Sequence, residues 1–334
     1  MLFRSRVLFQ GAGAIGIAGA ALLTDAHEVA VVSRVAGPDM QAAFPRRVSV
    51  LDPTDSDRPE AGPGRCEGEN GRAIGRHAGN GDGWSVTRVA TTRRVTITSR
   101  AEAAAAGRWD LIVLTTRPGD LDPEVASAIR DIAPAFIATT SQVEGDLERT
   151  RDEFPDAEVV VFGPAFLSER LEAGREVRFW APAGAPRFLV AGPRNAVRSL
   201  ARGLGRLALP VPMATVVLPP TVFIPFVAEL SVHDGNWAAL KSHLGRPSKA
   251  ASEAVRGRLG APISVFGFAA RFVLEALERT VPIDVTKYAG RHFARHQGQT
   301  RDMLAGWAPS SDAADSADPA IALRELIAAM DESR

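Results

Sequence analysis

Residues 7–16, Val7-Leu-Phe-Gln-Gly-Ala-Gly-Ala-Ile-Gly16, govern how the rest of the chain is read. Gly11, Gly13 and Gly16 have the spacing G-x-G-x-x-G, a common pattern whose meaning depends on its flanks. Val7–Gln10 is an apolar run of the length of one buried parallel strand. Ala14–Thr24 is a small-residue helix pattern, and His27–Arg34 reads as a second strand with Glu28 at its entrance. Strand, glycine turn, helix and strand within about thirty residues form the context of a dinucleotide-binding turn. The three glycines then differ in role. Gly11 makes the tight turn, Gly13 admits a pyrophosphate, and Gly16 lets the helix pack on the strand. Gly11, Ala12, Gly13, Ala14, Ile15 and Gly16 would present backbone N–H groups and the positive end of a helix dipole to the phosphates.

The same stretch has a competing reading as a secretion signal, because Arg4 and Arg6 precede an apolar run from Val7 to Leu23. Four glycines and Gln10 lower its hydrophobicity, and no small-x-small cleavage site precedes His27-Glu28. It is also too glycine-rich for a membrane span. We expect neither secretion nor insertion, and a cytoplasmic protein.

The 334 residues suggest two domains, and a 46% hydrophobic fraction suffices for real cores. Thirty-nine basic residues balance 39 acidic ones, so no overall field favours nucleic acid or an anionic membrane. The single cysteine, Cys66, excludes an intrachain disulfide and a polythiolate zinc site, and no H-E-x-x-H or C-x-x-C pair occurs. No metal is expected.

The end of the second strand discriminates between cofactors. An NAD site usually places a carboxylate there, whereas this chain has Ser33 and Arg34. A guanidinium can grip a 2′-phosphate and a hydroxyl can donate to it, which points to NADP(H).

Residues 55–83 are dense in Gly, Pro and charge and read as a flexible excursion. Residues 88–100 alternate as a hairpin or edge strand. Strands are expected at 110–116, 136–140, 159–162, 176–180 and 187–191, with helices at 101–107, after Arg117-Pro-Gly to about 132, at 146–153 and at 195–207. This alternation argues a Rossmann-type doubly wound α/β sheet over residues 1–208. Its ligand rim would include Thr115, Thr116, Arg117, Ser141 and Gln142. After a proline-rich stretch, 210–225, helices are expected at 226–240, 248–259, 265–279, 287–304 and 320–330, with an acidic linker at 312–319. Residues 209–334 would form a helical substrate or dimerisation domain.

With these features the chain resembles the ketopantoate reductase family. The resemblance rests on GAGAIG, on Arg34, on DLIVLTTR where the family strand ends in Val-Lys, and on ATTSQVE where the family carries Gln-Asn-Gly. KYAGRHFARHQGQTRDML adds a weaker match near the end. The resemblance implies an N-terminal Rossmann domain, a helical domain, and NADPH-dependent reduction of a 2-keto acid. Arg117 stands where the family has lysine, and Gln142 where it has a substrate-side asparagine. The family's catalytic lysine opens the first helix of the second domain, with asparagines one and two turns later. On a helix starting near 226 the nearest equivalents are Glu229, His233 and Asn236, with Lys241 as a shifted donor.

Carbonyl reduction needs a proton donor near the oxygen. His233 has the most suitable ordinary pKa, Lys241 needs a downward shift, Asn236 would orient the substrate and Glu229 would tune the histidine. His292, His296, Gln299 and Arg301 form a second polar cluster. Two rival readings remain: an NADP(H)-binding regulatory protein without turnover, and an opine-type carbon–nitrogen dehydrogenase. The expected partners are a small carbonyl substrate and a second copy of the chain as a homodimer.

Overall fold

The computed structural model describes residues 4–33, 40–46, 89–117, 119, 121–141, 143–171, 176–260, 262–281, 284–294, 297–308 and 320–333. Arg34, Gln142, the 55–83 excursion and the 312–319 linker lie outside the described residues. In chain order, β1 (Arg6–Gln10), α1 (Ala14–Leu23) and β2 (Glu28–Val32) reproduce the expected opening unit. They are followed by β3 (Met40–Arg46), β4 (Val89–Val95), β5 (Ile97–Thr98), α2 (Arg100–Ala105), β6 (Leu111–Leu114) and α3 (Pro123–Ile132). Then come β7 (Phe136–Thr139), α4 (Asp146–Glu153), β8 (Glu158–Pro164), β9 (Leu167–Arg170), β10 (Glu176–Trp180), β11 (Phe188–Ala191), α5 (Arg194–Leu204) and β12 (Ala208–Pro210). The remaining described elements are helices: α6 (Met213–Val232), α7 (Trp237–Ser242), α8 (Gly245–Leu259), α9 (Gly267–Thr280), α10 (Val285–Ala294), α11 (Gln297–Trp307) and α12 (Ile321–Glu332).

The main sheet has eight strands in the order β12-β11-β8-β7-β6-β1-β2-β5. Pairing is parallel from β5 to β8, and β11 returns antiparallel to β8. The chain leaves β1 toward β2 on one side and later places β6 on the other. The carboxyl ends of β1 and β6 therefore flank a topological switch point, where open α/β sheets bind ligands. Three backbone bonds bring the exits of β1, β6 and β7 to one level: Gly11 N–H to Val32 O (3.1 Å), Thr115 N–H to Gln10 O (3.1 Å) and Thr140 N–H to Leu114 O (3.1 Å).

The two faces of this sheet are covered differently. Helices α2, α3 and α4 pack over one face on a core of Leu8, Ile112, Leu114, Ile129, Ile137 and Phe154. On the other, α1 lies between the main sheet and a second sheet of order β4-β3-β10-β9. Every residue from Gly16 to Leu23 is buried, against Phe9 and Phe188 on one side and Val177 and Phe179 on the other. A helix enclosed on all sides must be apolar all round, which explains its likeness to a secretion signal. Of the small sheet, β4 and β10 fall where strands are expected, at 88–100 and 176–180, but the sheet they form is not expected. Strand β3 has no counterpart in the expected order, and β4 pairs antiparallel with β3 while β5 instead adds a short edge to the main sheet.

The helical half corrects three boundaries. Helix α6 begins at Met213, so the proline-rich stretch is helical and carries Pro219, Pro220 and Pro225 inside it. Each proline removes one N–H donor from the ladder, yet α6 is held by α8, α11 and α12 packed around it. Tertiary packing overrides local propensity here. By length and apolarity α6 would qualify as a membrane span, and in this fold it is the helix about which the others pack. The expected 226–240 helix breaks after Val232, where Asp234 (φ 50°) and Gly235 (φ 76°) turn the chain through the left-handed region. The expected 287–304 helix is two, α10 and α11.

Candidate functional site

The glycine turn is built by the bonds around it. Gly11 has φ 116°, and a Cβ there would meet Thr115 Oγ1 at 2.6 Å. A Cβ on Gly16 would lie 2.0 Å from the Gly11 carbonyl oxygen, so only glycine fits where α1 crosses the turn. Thr115 fixes this geometry from the neighbouring strand, its hydroxyl donating to Gln10 O (2.9 Å) and Gly11 O (3.2 Å). Gly13, the N-cap of α1, is the contrast, because a Cβ there would meet nothing within 4 Å. No side chain caps α1, so its first-turn N–H groups have no partner on the helix. Open space, orphan donors and the positive dipole end coincide, a cradle that fits a pyrophosphate. Ser33, at the end of β2, bonds through its backbone to Thr98.

Beyond the turn, the rim is organised by a carboxylate that has no motif to announce it. Asp146 opens α4 and is fully buried. It accepts the Ser141 hydroxyl, and Arg117 Nε and Arg149 Nη1 lie at 3.7 and 3.6 Å, within ion-pair but outside hydrogen-bond range. Arg117 reaches on across the cleft, donating from Nη1 to Asp302 of α11 at 3.0 Å. One guanidinium thus ties the rim to the helical half. The Thr116 hydroxyl oxygen is buried and has no partner among the described residues. The structure brings Gly11–Gly16, Thr115–Arg117 and Ser141 to one edge of the sheet.

It does not bring Glu229, His233, Asn236 and Lys241 there. The start of α6 docks on the sheet, with Val216 against Gly163 of β8. His233, the C-cap of α6, stands roughly 25 Å further along that axis. Glu229 is buried and held bidentately by Arg246 (2.7 and 2.9 Å), and His233 Nε2 lies 3.1 Å from it. That carboxylate raises the pKa of Arg246, chiefly through these hydrogen bonds. Asn236 does not share the helix face of Glu229. It is the N-cap of α7, accepting the Ala239 N–H at 3.0 Å. Lys241 donates to Glu278 at 2.8 Å, a carboxylate that also accepts the Trp237 indole. Arg301, from the second polar cluster, is paired bidentately with Asp331. The expected roles assumed a helix starting near 226; the real first turns, Met213–Ile224, carry no ionisable side chain.

A residue that no sequence pattern singles out occupies the helical side of the cleft. Arg258, near the end of α8, donates to the Thr221 hydroxyl of α6 at 3.0 Å and lies over the Trp307 ring at 4.9 Å. Burial pushes its pKa down, and the charge of Glu144, in the rim loop, partly offsets this. Among the described residues no carboxylate lies within ion-pair distance of it. A helix-end arginine has no sequence signal; only the fold brings it within the field of Glu144.

No protein-family model matches the chain, and no curated protein matches its sequence. Solved structures match it nearly end to end. The dimeric ketopantoate reductase of Staphylococcus aureus superposes with a TM-score of 0.61 at 10% identity, covering 98% of each chain. A probable 2-dehydropantoate 2-reductase of Bacillus subtilis gives 0.57 at 14% identity, over 98% of this chain and 99% of that one. A D-mandelate dehydrogenase solved with NADH and anilino(oxo)acetate gives 0.60 at 12% identity, over 98% and 97%. The chain has the ketopantoate reductase fold, with its Rossmann half and its helical half.

Proposed function

We propose that this chain binds NADP(H) along Gly11–Gly16 and reduces the carbonyl of a small 2-keto acid in the cleft between the sheet edge and α6, α8 and α11. The observation that carries the reading is a pair of anion-suited groups, one in each half of the chain. An uncapped helix N-terminus with open space at Gly13 lies in the sheet half, and Arg258, a guanidinium without a carboxylate partner among the described residues, lies in the helical half. Ser33 and Arg34 support the phosphorylated cofactor, since neither repels a 2′-phosphate. The D-mandelate dehydrogenase, solved with a nicotinamide cofactor and an oxoacetate, supports the substrate class.

When bound, the nicotinamide supplies the hydride. The first-turn N–H groups of α1 hold the diphosphate, and Thr115 keeps the turn rigid so that the ring is placed at the rim. Arg258 takes the substrate carboxylate, with its plane held by Trp307 so that little ordering entropy remains to be lost. Arg117, fixed between Asp146 and Asp302, stabilises the alkoxide that forms as the carbonyl carbon accepts the hydride. The proton reaches that oxygen from solvent, because α6 offers no acid over its first three turns. The same bare stretch favours a second reading, in which the chain senses NADP(H) without turnover.

NADPH oxidation over a panel of 2-keto acids, with and without primary amines, tests both. Turnover of an acid without amine is the expected result, and Arg258→Ala should raise its KM by roughly 10–100-fold while leaving NADPH affinity unchanged. Tight NADPH binding with no turnover on any acid would establish the sensor reading; turnover only with amines would establish a carbon–nitrogen dehydrogenase.

A further inference from the structure

Between Glu176 and Glu229 the chain carries no aspartate or glutamate, yet it places five arginines within residues 187–206. The formal neutrality of the whole chain hides this local excess. Arg194, Arg198 and Arg202 stand at i, i+4 and i+8 on α5, so they form one row, about 6 Å apart along the helix axis. Arg206 follows in the turn before β12, and all four are exposed. The opposite side of α5, Ala196, Val197, Leu200 and Leu204, is buried against the sheet. Arg187 closes the row. Its backbone N–H donates to Leu207 O at 2.9 Å, and its guanidinium is held by the carbonyls of Pro182 (2.8 Å) and Ala185 (3.0 Å). Among the described residues, no carboxylate lies within ion-pair distance of any of the five.

The needs of the helix do not explain the row. Like charges at i and i+4 weaken a helix rather than hold it. Arg202 is well placed, near the negative end of the helix dipole, and its Nε donates to Arg198 O at 3.3 Å. Arg194 is not, because it opens α5 at the positive end. Pro193 is the N-cap there, and no side chain caps the first N–H groups. A cation beside bare N–H donors is relieved by a bound anion. At the other end of the row, burial lowers the pKa of Arg187, and the charges of Arg93 and Arg206 lower it further. Repulsion therefore runs along the whole row.

We propose that the outer face of α5 binds a single-stranded nucleic acid through its phosphates alone. A protein interface has an apolar core, and a lipid-surface helix turns an apolar face toward the acyl chains. The row has neither, because its exposed neighbours are Asn195 and Ser199 and the apolar side of α5 faces the sheet. A nucleic-acid backbone needs only guanidinium forks and small polar donors on its phosphate oxygens. Steps of about 6 Å are of the order of the phosphate repeat in an extended strand. A duplex strand winds away from a straight row, whereas a flexible single strand follows it. Helix α5 has no aromatic residue on which a base could stack, so the contact reads charge and not sequence. The row also stands apart from the cofactor turn. Helix α5 packs on β8, β11 and β12, and Gly203 lies against Ser5, at the entrance of β1 and not at its glycine exit. The inference is independent of the chemistry proposed for the cleft.

Fluorescence anisotropy of a labelled oligouridylate with the full chain, over a salt series, tests it. Log affinity should fall with log salt at a slope of roughly −3, since each of four phosphate contacts contributes about −0.7 on a single strand. R194Q/R198Q/R202Q should bring the slope to about −1 and weaken binding at low salt by more than roughly tenfold. An unchanged thermal midpoint and NADPH titration would show that this variant is folded. R194K/R198K/R202K keeps the charge and should keep the slope, with affinity lower by only a few-fold. Oligoadenylate and oligodeoxythymidylate should compete as well as oligouridylate. Absence of binding at low salt, a slope that the glutamines leave unchanged, or tighter binding of a duplex overturns the proposal. So does retention on phosphatidylserine vesicles or on polyglutamate that the single strand does not displace, which would make the row a lipid or protein contact.

Discussion

Two apolar helices anchor the two halves of the molecule, and their first turns are built in opposite ways. Helix α1 opens on Gly13 with bare N–H groups and open space, so what it offers a ligand is backbone. Helix α6 opens on Met213-Ala-Thr-Val with nothing ionisable for three turns, and the charge nearest that part of the helix comes from Arg258 of α8. Recognition by backbone requires particular residues at fixed spacing and can be read along the chain. Recognition by side chains that converge from separate helices leaves no such trace.

The largest expected effect separates fold from binding within the α1 turn. Gly16→Ala puts a Cβ 2.0 Å from a backbone oxygen that no rotamer can relieve. It should cost more than about 3 kcal/mol, read as a collapse of the denaturant midpoint. Gly13→Ala should cost less than about 1 kcal/mol and yet weaken NADPH by at least roughly tenfold in a fluorescence titration. If Gly13→Ala binds normally, α1 is no better a ligand site than α6 and the contrast fails.

Next comes the buried carboxylate at the far end of α6. Glu229→Ala leaves Arg246 without its bidentate partner and should destabilise by about 3–5 kcal/mol, with NADPH affinity and KM unchanged wherever the protein remains folded. A folded variant whose turnover collapses would return Glu229 and His233 to the chemistry.

The smallest effect concerns pH. His27, in the turn after α1, is buried, and that burial holds its pKa below 6.5; the nearby Leu204 carbonyl partly offsets this and the charge of Arg4 adds to it. The unfolded chain therefore binds a proton more readily than the folded one. Stability is full above about 6.5 and declines as pH falls from there through the lower folded value. Urea midpoints should drop over that interval in the wild type and less in His27→Gln. An equal drop in both would assign the acid sensitivity elsewhere.

The parts of the structure that are legible in the sequence share a physical cause. Residues 7–32, 111–114, 136–139 and 146–153 have local patterns that agree with their tertiary setting, so period and punctuation locate them. Strand β3, Met40-Gln-Ala-Ala-Phe-Pro-Arg46, has weak strand propensity and a proline, and it exists because β4 and β10 pair with it on either side. The three prolines of α6 read locally as a break, and only the surrounding helices keep it continuous. That reading displaces the first turn from Met213 to about 226 and carries the catalytic roles with it. The cofactor turn is legible because spacing defines it; Asp146, Asp302 and Arg258 are not, because only folding brings them together.

The enclosure of α1 between two sheets also bears on how the chain is made. Synthesis delivers residues 7–23 about 150 residues ahead of β9 and β10, which cover their outer face. At ordinary elongation rates that is an interval of roughly 10–30 s, longer than many domains need to fold. For that time an apolar segment behind Arg4 and Arg6 stands open at the ribosome, with the chemistry that targeting factors and chaperones recognise. The glycines therefore act twice: Gly11, Gly13 and Gly16 shape the turn of the finished protein, and together with Gly19 they lower the hydrophobicity of the nascent segment.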